Sequence, residues 1–203
     1  MTSTTRTAVN SPTNIAPSHF ICDPSVAKFN VSLGAYLETD TSLHGICGGA
    51  FVFDDTGRLL LVQRAAHDSY PLRWEVPGGT IDAEDESLLH GLVRELWEET
   101  GLRARCVAGV VGKGYTFLTR RPVCVCKYHF FVDVEAYDVR LDPNEHAAFV
   151  WVTEDEAKAK KCGDIELVYT SSPQEAVILE AFGSGRKGAE TQDRIHGPAI
   201  TIS

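Results

Sequence analysis

The sequence predicts an α/β fold in which a mixed β-sheet is flanked by helices. Three observations predict it. Short strand-like apolar segments outnumber helical ones across residues 28–182. One segment, residues 86–99, has a clear helical period. The 203 residues, 43% hydrophobic and 23% charged, suffice for one buried core with a tail at each end.

The elements follow in order. Residues 1–27 are rich in Thr, Ser, Asn and Pro, and Pro12, Pro17 and Pro24 oppose regular structure. They read as a flexible tail. Gly45 to Phe53 and Arg58 to Arg64 flank the turn Asp54-Asp55-Thr56-Gly57 and read as a β-hairpin. Trp74-Glu75-Val76 is extended, and Pro77-Gly78-Gly79 must leave strand geometry. Val107 to Phe117 and Val123 to Val134 are strand-prone, as is Phe149 to Val152. Thr153 with Glu156 three residues on predicts a capping box. Pro173 opens a last helix. Residues 183–203, with four glycines, read as a second flexible tail.

The charge balance is −9, from 19 Lys+Arg against 28 Asp+Glu. It opposes coating of nucleic acid, which needs clustered cations, and suits a protein that concentrates cations. No window offers the ~18 apolar residues of a membrane helix, so neither nucleic acid nor membrane is an expected partner. The six cysteines form no CxxC pair and read as reduced thiols in a cytoplasmic compartment. The acid-poor start, whose first acid is Asp23, also resembles an organelle-import segment.

On a wheel at ~100° per residue, Leu88, Leu89, Leu92, Val93, Leu96 and Trp97 fill one arc. Glu95, Glu98 and Glu99 share the neighbouring arc, at the seam with the rest of the protein. Gly91, one turn earlier, is expected to leave open space beside them. Like charges at this spacing repel, and the C-terminal turns of a helix prefer cations. Thr100-Gly101 ends the helix with a C′ glycine. A divalent cation relieves both penalties, and carboxylate oxygens suit Mg²⁺ or Mn²⁺. A solvated acidic face neutralised by Arg94 is the plain alternative.

The context decides between them. Gly78 and Gly79 precede a short acidic loop, then Glu86, and seven residues later Arg94-Glu95-Leu96-Trp97-Glu98-Glu99-Thr100-Gly101-Leu102. This resembles the box of the Nudix hydrolase family, G-x5-E-x7-R-E-U-x-E-E-x-G-U with U apolar. The stretch from Glu86 to Leu102 fits throughout. The departure lies between Gly79 and Glu86, where six residues stand in place of five. Residues 44–160 also look like the family domain.

The resemblance implies an α/β/α sandwich with a mixed sheet and Mg²⁺-dependent cleavage of a diphosphate linkage in a nucleoside diphosphate derivative. It implies Glu95, Glu98 and Glu99 as metal ligands, with Glu95 or a later acid activating water. It assigns Glu86 and Arg94 to the loop–helix–loop geometry and brings a Gly78 or Gly79 carbonyl toward the metal. A homodimer is common for such folds. A non-catalytic nucleotide-binding or regulatory module on the same scaffold is the alternative, opposed by the complete set of acids.

Beyond the box, Glu145 in Asp142-Pro143-Asn144-Glu145-His146 reads as a fourth ligand, a general base or a solvated loop acid. For Arg64, at a strand end, the family resemblance implies a phosphate contact, and a surface ion pair is the plain alternative. Lys113, Arg120, Arg121 and Lys127 flank Tyr115 and Phe117 and read as a phosphate and base clamp or as an ordinary loop.

Overall fold

A computed structural model describes residues 19–120, 122–189 and 200–202. Among the described residues the strands are, in chain order, β1 Phe20–Cys22, β2 Gly45–Phe51, β3 Leu59–Arg64, β4 Trp74–Glu75, β5 Ala104–Leu118, β6 Cys124–Val134, β7 His146–Val152, β8 Lys161–Cys162, β9 Ile165–Glu166 and β10 Ile200–Ile202. Four α-helices join them: α1 Leu33–Thr39, α2 Leu88–Thr100, α3 Glu154–Ala159 and α4 Ser172–Ala189. A 3-10 helix spans Pro24–Phe29. Among the described residues no helix is long and apolar enough to cross a membrane.

The main sheet is mixed, in the order β10-β1-β5-β6-β2. Strands β1 and β5 run parallel, as do β2 and β6, while β5 and β6 are antiparallel. A second, antiparallel sheet has the order β4-β3-β7. Helix α2 buries Leu88, Leu89, Leu92, Val93 and Leu96 with Ile46, Ala50, Phe130 and Val132 of the main sheet. Each such leucine contributes about 2 kcal/mol of burial. A second core unites Phe51 and Val111 with Leu59, Leu61 and Trp74 of the smaller sheet and Val177, Ile178 and Phe182 of α4. Alternation along β2 explains the division: Ile46 and Ala50 face α2, and Phe51 faces the other way. The observed architecture is the α/β type expected, with helices on both sides of a mixed sheet.

Three expectations need correction. The turn at Asp54–Gly57 forms, with Asp54 Oδ1 accepting from the Thr56 and Arg58 amides and Gly57 at φ +77°. Its strands then part into different sheets and meet only near Val52, Phe53, Leu59 and Leu60. Apolar alternation shows that a segment is a strand, not where it leaves its neighbour. The expected tail 1–27 contains β1, whose Phe20 and Cys22 are buried, and the capped turn at Asp23–Phe29. The expected tail 183–203 contains the end of α4 and β10, which pairs with β1. Pairings of three residues leave almost no periodic signal. Residues 1–18, 190–199 and 203 lie outside the described residues.

Candidate active site

The chemistry gathers where α2 meets the Pro77–Ile81 segment. That segment runs beside β2: Gly48 N–H donates to Gly79 O (2.9 Å), Ala50 N–H to Pro77 O (2.8 Å) and Ile81 N–H to Ile46 O (3.0 Å). Gly78 sits at φ +138°, a conformation open to glycine, and a Cβ there would lie 2.1 Å from Gly48 O. A Cβ on Gly79 would lie 2.5 Å from Glu95 Oε2. The two glycines therefore let the backbone reach the helix acids. Gly78 N–H donates to Glu99 Oε2 (2.6 Å). Gly101 closes α2 in the left-handed conformation, with its N–H on Trp97 O (2.7 Å).

Arg94 organises the acids. Its Nη1 donates to Glu95 Oε1 (3.1 Å) and Glu98 Oε2 (3.0 Å), and its Nη2 to the Thr80 carbonyl (3.1 Å). Its strongest partner is Asp85, through Nε (2.8 Å) and Nη2 (2.9 Å). Asp85 Oδ2 also accepts from Asp82 N–H (2.8 Å). Burial alone would raise Asp85, but the Arg94 and Asp82 bonds hold it below the usual carboxylate range.

This corrects the role given to Glu86. Its side chain is 69% exposed, and the nearest nitrogen to its carboxylate is His90 Nε2 at 3.5 Å, not Arg94. Asp85 is the acid separated from Gly79 by five residues, so the extra residue falls after the supporting acid rather than before it. Gly91 leaves no open space either: Asp85 Oδ2 and Ile81 fill the volume its Cβ would need. Asp85→Ala should cost about 2–3 kcal/mol by removing the two-bond carboxylate partner of a part-buried Arg94. Glu86→Ala should stay within about 0.5 kcal/mol. Urea denaturation of both variants checks the assignment, and equal losses would refute it.

The three helix acids differ in setting. Glu98 is the most open at 46% side-chain exposure, Glu95 is half-buried, and Glu99 is buried. Burial raises Glu99 well above the usual range against the Gly78 N–H bond, and Glu75, Glu95 and Glu145 add to it. Burial also pushes Glu95 up to about 7 despite Arg94. A carboxyl raised on folding stabilises the folded chain at low pH and loses that contribution as pH climbs from its unfolded value to about 7. Metal-free, the Glu95→Gln variant should therefore be more stable than the parent at pH 8, by up to about 3 kcal/mol, and melt at a higher temperature, with the gap closing toward pH 5. Thermal melts in chelator measure it; a gap independent of pH would contradict the burial of this charge.

Glu145 stands beside these acids. Its carboxylate, that of Glu99 and a ring nitrogen of His146 all lie within 4.8 Å of one another. Burial raises Glu145, with Asp142 and Glu98 adding to it. Burial lowers His146, which favours the neutral imidazole. This set fits a divalent cation, with hard oxygen donors, one imidazole and a buried carboxylate; Glu95 and Glu98, both bound to Arg94, lie outside it. A cleft of about 380 Å³ opens beside it, walled by Arg64, Arg120, His67, Glu99, Glu145 and His146.

Arg64 reaches the cleft while bound to Glu75 and to Asp68 (2.5 Å). Lys127 lies inside the protein, its Nζ 3.3 Å from Glu75 Oε2, so it is neither a loop lysine nor an exposed clamp. Burial alone would raise Glu75, but Lys127 and Arg64 hold it low. Tyr115 lies opposite Lys127, with its OH 3.4 Å from Gln174 Oε1. Lys113 is exposed in the irregular stretch between Val111 and Tyr115, and no described contact joins it to the acids. Asp85, Glu75 and His146 were missed from sequence. Only Asp85 carried a signal, its five-residue distance from Gly79.

Comparison with known proteins agrees with this geometry. The NUDIX domain model matches residues 44–169. The CTP pyrophosphohydrolase of Escherichia coli (strain K12) is 32% identical over 133 residues, covering 66% of this chain and 87% of that protein. A MutT-like protein of Streptomyces ambofaciens is 32% identical over 127 residues, covering 60% and 72%. The crystal structure of the MutT protein from Methanosarcina mazei Go1 superposes with a TM-score of 0.57 at 25% identity, covering 71% of this chain and 96% of that one. With the domain model spanning more than half its length and the box acids gathered on α2, the chain belongs to the Nudix family of hydrolases acting on diphosphate bonds.

Proposed function

We propose that this chain hydrolyses the diphosphate linkage of a nucleoside diphosphate derivative with the help of Mg²⁺, or of Mn²⁺ in its place. The observation that carries the reading is the convergence of Glu99 and Glu145 beside a cleft walled by Arg64 and Arg120. The relatives named for CTP and MutT-type activity support a nucleotide substrate.

Glu95, Glu98 and Glu99 would hold the cation, with Glu145 completing the donor set. When bound, a divalent cation neutralises phosphate charge and lowers the pKa of a water molecule. The chain's own residues do the rest. Arg64 and Arg120 attract and orient the phosphates. Gly78 N–H fixes Glu99, and Arg94 fixes Glu95 and Glu98 against Asp85. We assign the proton of the attacking water to Glu98, the most open of the helix acids.

A panel of nucleotide sugars, dinucleoside polyphosphates and nucleoside triphosphates, incubated with Mg²⁺ and resolved by product, tests the reading. Release of two phosphate-containing products, or of a monophosphate and pyrophosphate, is expected. Tight nucleotide binding with no product would replace it with a non-catalytic module.

A further inference from the structure

We propose that His146 is a nitrogen ligand to the divalent cation, and that it biases the site toward Mn²⁺ over Mg²⁺. The inference rests on the metal-dependent reading above and adds a donor that the box acids do not include. His146 opens β7, is only 4% exposed and is held at its backbone by an N–H bond to Asp142 O (2.9 Å). Ala65 N–H binds the Glu145 carbonyl (2.8 Å), so both residues are tied to the end of β3. Between Gln63 and Arg64 the β3–β7 register slips: Gln63 faces Ala148, Arg64 faces His146, and Ala147 is left over. Such a bulge fixes the aim of the side chains beside it.

The imidazole Nδ1 is fully buried and has no hydrogen-bond partner among the described residues. A buried ring nitrogen without a partner costs about 1–3 kcal/mol, a penalty that a ligand removes. A ring nitrogen meets the Glu99 and Glu145 carboxylates within 4.8 Å. Two donors about 2.1 Å from one ion stand roughly 3–4.2 Å apart, so closure around a cation needs only small side-chain shifts. Mg²⁺ favours oxygen and water, whereas imidazole suits transition metals. One nitrogen beside two carboxylates therefore moves preference toward Mn²⁺.

Pulsed electron paramagnetic resonance of Mn²⁺ bound to the full chain tests this. Directly coordinated ¹⁴N should modulate the echo, and ¹⁵N-histidine labelling should replace that modulation with ¹⁵N coupling. His146→Gln should abolish the coupling and weaken Mn²⁺ binding about tenfold, with Mg²⁺ binding changed less than about twofold. His67→Gln, in the same cleft, should keep the coupling. Bound Mn²⁺ without nitrogen coupling, in a chain that still hydrolyses its substrate, would overturn the inference and leave the proposed function standing. Loss of the coupling in His67→Gln would overturn it equally. Absence of both Mn²⁺ binding and hydrolysis would overturn both readings. If His146→Gln does not fold, the labelled parent chain decides by the presence or absence of coupling.

Discussion

Replacing Glu99 by Gln is expected to lower diphosphate hydrolysis by about 10³-fold while the chain stays folded. The expectation follows from burial. Glu99 is almost fully enclosed, and one of its oxygens already accepts the Gly78 N–H. Its carboxylate also lies beside Glu145 and His146. A glutamine keeps the shape and one acceptor but offers no charge to a cation. It also removes an uncompensated buried anion, so the metal-free variant should be at least as stable as the parent. Loss of rate without loss of stability, read by product assay and urea denaturation on one preparation, is the signature of a group kept for chemistry. Unchanged turnover would remove Glu99 from the mechanism.

The largest stability effect is expected at Gly78. Gly78→Ala should cost about 3 kcal/mol or more. Its φ of +138° is hostile to any L side chain, and the new Cβ would stand 2.1 Å from Gly48 O, a rigid backbone atom of β2. Relief requires the Pro77–Ile81 segment to leave β2, which breaks the bonds at Gly48, Ala50 and Ile81 and withdraws the N–H that holds Glu99. Activity should fall with stability. Gly34→Ala is the control: its Cβ would meet nothing within 4 Å, and it lies in α1, so it should be neutral or stabilising by up to about 1 kcal/mol. Equal effects at both positions would contradict the close approach.

Some of this site is legible in the sequence, and the reasons differ by residue. Helix α2 is legible because its apolar period and its terminal Gly101 agree, and the structure adds Ser87 as its N-cap. The capping box at Thr153 and Glu156 forms for the same local reason. Glu86 and Asp85 were not separable by residue type: both are acids, and the loop conformation selects the one that reaches Arg94. Glu75 and Lys127 are 52 positions apart and meet only because β4 and β6 lie in facing sheets. His146 carries no spacing signal at all. Its place is made by the register slip against β3, which depends on a strand more than 80 positions upstream.

In the proposed function, the helix carboxylates and Glu145 bind a cation for work on a diphosphate. Calorimetric titration of Mg²⁺ into the full chain, with and without a nucleotide whose bridging oxygen is replaced by methylene, tests this most directly. Saturable uptake at millimolar Mg²⁺ or below, tightened by the nucleotide and abolished in a Glu98→Gln, Glu99→Gln double variant, is the predicted result. No uptake in that range, even with the nucleotide present, would contradict it.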